Sequence, residues 1–261
     1  MVPFSLTPDP ALLHVTPAIR TVLFKARYVV DNKQGLTCIM GDVGLGKSTV
    51  LRYLHGQIAS NEDYETAFIP SPNYSSDFAL LKGICQDFGV PPKRSMLAQE
   101  NELRVKLIEL HNQGKTAVVF LDEAQRLPGK QMELIRTLMN FETNKAKLIQ
   151  IILAAQLELQ NKLRDPSKKA IRSRIFLPSI LSALSLPEAI EMIQFRCDQS
   201  QVKNPFDEEA VKAIYDCSQG VPRDILKIAS AAYAIMKGSG HDKVPAEAIP
   251  EISKEAMIYE Q

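Results

Sequence analysis

Residues 41–48, Gly-Asp-Val-Gly-Leu-Gly-Lys-Ser, constrain the fold more than any other stretch of the chain. The pattern G-x-x-x-x-G-K-[ST] works only where a strand runs into a glycine-rich turn that opens directly into a helix. The run Leu-Thr-Cys-Ile-Met at 36–40 reads as that strand, and the residues after Ser48 read as that helix. The chemistry follows from the backbone. Glycines let successive N–H groups turn inward, and the helix N-terminus adds positive potential. Lys47 is placed to reach β and γ phosphates, and Ser48 to ligate Mg²⁺. Gly41, Asp42, Val43, Gly44, Leu45, Gly46, Lys47, Ser48 and Thr49 are therefore the expected nucleotide-binding residues, with ATP and Mg²⁺ as the implied cofactors.

Further β-rich runs lie at 66–70, 117–121, 148–153 and 175–177, separated by segments of helical periodicity. A helix precedes the first strand: Thr16-Pro17 forms its cap and first turn, and Ile19, Val22, Leu23, Ala26, Val29 and Val30 recur at helical spacing. Strands alternating with helices require crossover connections, hence an α/β fold with a mostly parallel sheet covered on both faces. From Leu186 onward the pattern is helical only, at 187–200, 207–219 and 222–237, with a weaker helix after the turn at 237–241. The expected division is an α/β core with its N-terminal helix over 1–178 and a small helical domain over 179–261.

The run Val-Val-Phe-Leu at 118–121 ends in Asp122 and Glu123. In an open α/β sheet, ligands collect at the C-terminal strand edge, so both carboxylates fall where the phosphates are expected. Asp122 would hold a Mg²⁺-bound water, and Glu123 would polarise the attacking water. Composition narrows the classes. Lys and Arg total 31 against 30 Asp and Glu, so any nucleic-acid contact must come from a local patch. Cys38, Cys85, Cys197 and Cys217 are far apart with no CxxC pair, which predicts neither zinc nor disulfides and suits a reducing cytoplasm. No run of 18 apolar residues and no leader pattern is seen, so a membrane span and secretion are not expected. His14, His55, His111 and His241 stand alone and are expected to be packing or surface residues.

Together these motifs resemble the AAA+ ATPases, and more narrowly the ExeA or GspA-like group with its relatives, the transposition helpers MuB, TniB and TnsC. The similarity lies in F-x-x-T-P-D-P at 4–10, the phosphate loop, DEAQ-x-L at 122–127, ELIRTLMNFE at 133–142, LIQIILAAQLEL at 148–159 and GVPRDI at 220–225. The resemblance implies a P-loop NTPase fold, a five-stranded core in which the strand before Gln156 lies between the phosphate-loop strand and the Asp122 strand, and a helical lid. It implies that Gln156 takes the sensor-1 position and Arg223 the sensor-2 position. Arg174 becomes the arginine finger acting on a neighbouring copy's ATP, with Arg172 competing for that role. It further implies ATPase activity dependent on self-assembly into a ring or helical filament, hexameric per turn. A target-DNA function with a transposase or targeting protein as partner follows from the compact architecture. The alternatives are a secretion-associated ATPase of the ExeA type or an ATP-controlled scaffold. Secretion-type members usually carry a membrane span and a peptidoglycan-binding region, neither of which is seen in these 261 residues. For double-stranded DNA the candidate contacts are Lys82, Lys93, Arg94, Arg104 and Lys106.

Overall fold

The computed structural model describes residues 3–257. Five parallel strands, β1 (Leu36–Met40), β2 (Tyr64–Ile69), β3 (Thr116–Leu121), β4 (Ile149–Ala155) and β5 (Ser179–Ile180), form one sheet in the order β2-β3-β4-β1-β5. Every residue of β1 and β4 is buried, as a central strand covered by helices on both faces requires. The strand expected to lie between β1 and β3 does so. The intervening helices are α1 (Pro17–Asp31), α2 (Lys47–Ala59), α3 (Asp77–Asp87), α4 (Met96–Asn112), α5 (Gly129–Leu138), α6 (Glu158–Arg164) and α7 (Lys169–Arg172). Ser76 and Ser95 cap α3 and α4 by accepting the Ala79 and Ala98 N–H groups. One polar residue sits inside apolar β4 with its hydrogen bonds satisfied. Gln150 accepts the Gly35 N–H at 2.7 Å and donates to the Lys147 carbonyl at 3.0 Å.

The fifth strand departs from expectation. Ile175 makes only an isolated parallel bridge with Leu36, and the regular strand begins at Ser179. Leu177 has φ of 48°, a left-handed conformation that breaks an extended run, and Pro178 has no N–H for the ladder. The Thr37 hydroxyl fixes the break by donating to the Leu177 carbonyl at 3.2 Å.

The chain divides into two compact units, and the boundary differs from the expected 178/179. The α/β unit comprises Pro17–Asp42 and Lys47–Leu181; the helical unit comprises Ser182 onward together with the described residues up to Thr16 and the loop segment Val43–Gly46. The N-terminal segment belongs with the helices because Phe4, fully buried, meets the Phe206 and Tyr233 rings edge-on at 5.6 and 5.8 Å. The helical unit contains α8 (Leu186–Gln199), α9 (Glu208–Ser218), α10 (Pro222–Ser239) and α11 (Ile249–Ala256). A Ser185–Glu188 capping box starts α8, and the Asp207 side chain accepting the Ala210 N–H starts α9. Gly220 is required in the turn before α10: its φ is 75°, and a Cβ there would lie 2.2 Å from the Leu184 carbonyl oxygen.

His55 is a packing residue with a pH consequence. Its ring lies 4.9 and 5.0 Å from Phe68 and Phe120, and Nε2 is 3.2 Å from the Thr66 hydroxyl. Burial pushes its pKa below the ordinary 6.5, and the Arg52 charge adds to this while Asp87 opposes it. A histidine depressed in the folded state takes up its proton more readily when unfolded, so stability is lost as pH falls through 6.5 and on through the lower folded value. Urea midpoints measured from pH 7.5 to 5 should fall for the parent chain and fall less for His55→Gln.

Candidate functional site

The strand register brings the motif residues to one edge. Leu121 lies opposite Leu153, and Met40 lies opposite Ala155, so Gly41, Asp122 and Gln156 leave the sheet from the same C-terminal side. Lys47, at the start of α2, is 7% exposed, and its Nζ donates to the Asp42 carbonyl at 2.7 Å. Beside it, the Ser48 hydroxyl lies near enough to the Asp122 carboxylate to lower its pKa. Asp122 is 3% exposed. Burial raises its pKa, and the Ser48 hydroxyl and the Glu123 N–H, 2.8 Å from Oδ1, pull it back down.

This pair of hard oxygen donors suits Mg²⁺, which binds through one or two protein groups and completes its shell with phosphate and water. Among the described residues no cluster of three or more His, Cys, Asp or Glu side chains forms a metal cage.

The middle of the glycine loop, grouped with the helical unit, is shaped by its backbone. Gly44 and Gly46 both have φ of 84°. The Gly44 carbonyl accepts the Arg223 N–H at 3.1 Å, and a Cβ at position 44 would lie 2.7 Å from Val221 Cγ1. Arg223 thus stands at the first turn of α10 with its main chain bonded to the loop. Gly44→Ala should lower unfolding stability by about 1–3 kcal/mol from left-handed strain alone, read as a fall in the denaturation midpoint.

Glu123 follows Asp122 in a left-handed conformation, φ 55°, which ends β3 and starts a short 3₁₀ turn over Ala124–Arg126. Its Oε2 accepts from Gln125 Nε2 at 2.8 Å and faces Arg126 Nε at 3.4 Å. Gln125 Oε1 accepts the Gln156 N–H at 3.0 Å, and Lys162 donates to the Gln125 carbonyl. Gln125 lies within the DEAQ motif, which by itself gives it no role. Its signal is a glutamine two residues beyond the carboxylate pair, meaningful only once β3 and β4 are known to be neighbours.

The two candidate finger arginines differ. Arg172 Nη1 donates to the Leu163 and Arg164 carbonyls at 3.2 and 3.4 Å, closing the C-terminus of α6. Arg174 donates to the Ala170 carbonyl at 2.7 Å and to Asn140 Oδ1 at 3.0 Å. Three of the candidate DNA contacts meet neighbours in their own chain. Lys82 lies over the Phe78 ring at 4.2 Å, Lys93 pairs with Glu102 at 2.8 Å, and Arg104 lies over Phe141 at 4.9 Å. Arg94 and Arg104 are exposed, and Lys106 is half-buried on the acidic-basic surface of α4. Tyr74 is a packing residue: a Cβ at Gly83 would meet its hydroxyl at 2.4 Å. His14 faces Glu191 at 3.3 Å within the helical unit. All four cysteines are free, and burial pushes the Cys38 thiol up to about 12. Among the described residues no helix is long and apolar enough to cross a membrane.

Comparison with known proteins adds to this geometry. The family model described as AAA domain matches residues 30–163. The chain is 31% identical over 245 residues to general secretion pathway protein A of Aeromonas hydrophila, covering 93% of this chain and 44% of that protein. It thus spans less than half the length of that relative. Among solved structures it resembles Cdc6p from Pyrobaculum aerophilum (TM-score 0.76, 17% identity, 99% of this chain and 72% of that one). It also resembles the Aeropyrum pernix ORC2 protein in ADPNP–ADP complexes (0.74, 16%, 99% and 72%) and Aeropyrum pernix ORC1 in complex with DNA (0.72, 14%, 97% and 69%). At these identities the structural likenesses are likenesses of fold.

Proposed function

The chain belongs to the AAA domain family, and from that premise we propose that it is an ATP-hydrolysing switch whose self-assembly is controlled by the nucleotide it holds. Family membership supports ATP hydrolysis at the general level; the assignment of roles to residues is our reading. The observation that carries it is the meeting of Lys47, Ser48, Asp122 and Glu123 at one sheet edge, with the nearly buried Lys47 ammonium on the Asp42 carbonyl and the Asp122 carboxylate on the Glu123 N–H. The main-chain amides of the glycine loop and the Lys47 ammonium hold the phosphates. Ser48 and Asp122 hold Mg²⁺, which when bound neutralises charge on the phosphate oxygens. Glu123 accepts the proton of the attacking water, and Gln156 and Arg223 read the state of the γ-phosphate.

Arg174 is proposed as the guanidinium supplied to a neighbouring copy. The support for it is the resemblance of residues 170–175 to the entry into the family's fifth strand; both arginines donate to carbonyls of their own chain, so Arg172 stays the alternative. A residue supplied in trans makes turnover depend on assembly and makes assembly depend on bound ATP. The assembly is proposed to be a ring or a helical filament.

Two readings remain for what the switch acts on. In the first, an ATP-bound assembly on duplex DNA engages a transposase or targeting protein. In the second, the chain serves envelope secretion machinery. Similarity to general secretion pathway protein A across 93% of the chain favours the second. A cytoplasmic location is part of either reading. Electron microscopy with an ATP analogue, with and without duplex DNA over a salt series, tests them. We expect assembly that needs the analogue and not the DNA. Assembly that needs DNA, with affinity falling steeply as salt rises, would favour the transposition reading.

A further inference from the structure

Gln125 is 6% exposed, and both ends of its amide are committed. Oε1 accepts the Gln156 N–H at 3.0 Å, and Nε2 donates to Glu123 Oε2 at 2.8 Å. A main-chain N–H can only donate and a carboxylate only accept, so the orientation of this amide is forced by its neighbours. The side chain therefore ties the end of β4, where Gln156 stands, to the carboxylate that follows β3. Its own backbone is held in turn, because the Lys162 ammonium from α6 donates to the Gln125 carbonyl. The other partner of the Glu123 oxygen is weaker: Arg126 approaches only to 3.4 Å, and its side chain is 62% exposed.

We infer that Gln125 is a positioning residue for ATP hydrolysis, orienting the Glu123 carboxylate and coupling it to the main chain at Gln156. The inference rests on the reading of Glu123 as the base. A shift of the β4 end moves the Gln156 N–H, the amide follows, and the carboxylate turns with it. Gln125 touches neither water nor phosphate in this scheme, so its loss should leave nucleotide binding in place and slow the chemical step.

The test compares the parent chain, Gln125→Met, Glu123→Gln and the double variant, measuring kcat and KM for ATP and the affinity for a non-hydrolysable ATP analogue. Gln125→Met keeps the volume and removes both hydrogen bonds. We expect kcat to fall by about tenfold or more while analogue affinity stays within about twofold. In the Glu123→Gln background the same substitution should change the residual rate by less than about twofold, because the two residues act as one unit. Gln125→Leu removes the same two hydrogen bonds without placing a charge beside Glu123, and it replaces the methionine variant if that one does not fold. A kcat near the parental value, equal losses in both backgrounds, or analogue affinity falling in step with kcat would overturn the inference and leave the ATPase reading standing. If the parent chain releases no phosphate from ATP, the ATPase reading itself fails, and this inference with it.

Discussion

Replacing Lys47 with alanine is expected to weaken ATP binding by roughly a hundredfold or more and to abolish turnover. The estimate is that of a charged donor lost from two phosphate oxygens at about 1.5–3 kcal/mol per hydrogen bond. The lysine is nearly buried, and its ammonium already donates to the Asp42 carbonyl, so it is held over the loop before any ligand arrives. Titration calorimetry with ATP and Mg²⁺ should give a measurable affinity for the parent chain and none at practical concentrations for Lys47→Ala. An affinity within a few-fold of the parent would remove the phosphate-cradle reading.

Glu123→Gln should behave in the opposite sense, keeping ATP and losing the chemistry. Glutamine matches the shape of glutamate and can still accept the Gln125 N–H at the same position, so the local turn has no reason to change. It cannot take a proton from water, and the loss of a positioned base corresponds to about 10²–10⁴-fold in rate. With hydrolysis stalled, the ATP-bound form accumulates, and whatever assembly ATP favours is stabilised by mass action. Sedimentation with ATP and Mg²⁺ should show larger species for Glu123→Gln than for the parent after turnover. Parental phosphate release by Glu123→Gln would remove Glu123 from the role of base.

The parts of the fold legible in the sequence are those set by local chemistry. The strands at 36–40, 116–121 and 149–155 are short, apolar and rich in β-branched residues, and the glycine loop must sit between a strand and a helix whatever surrounds it. The resemblance to AAA+ proteins supplied the sheet order, which no local pattern contains. The misplaced fifth strand turns on a single left-handed residue, Leu177, of a type that gives no warning of it. The attachment of the N-terminal segment to the helical unit depends on Phe4 finding Phe206 and Tyr233, partners some two hundred residues away in sequence. Gln125 was visible as a letter but not as a link. Its meaning depends on β3 and β4 lying side by side, so that one amide reaches from Glu123 to Gln156.

The central claim is that this sheet edge grips ATP with Mg²⁺ and that Glu123 carries out its hydrolysis. The most direct measurement is the identity of the nucleotide recovered from desalted parent and Glu123→Gln chains after incubation with ATP and Mg²⁺. The account predicts ADP from the parent and a stoichiometric amount of intact ATP from Glu123→Gln. Recovery of ADP from both, or of no nucleotide from either, would contradict it.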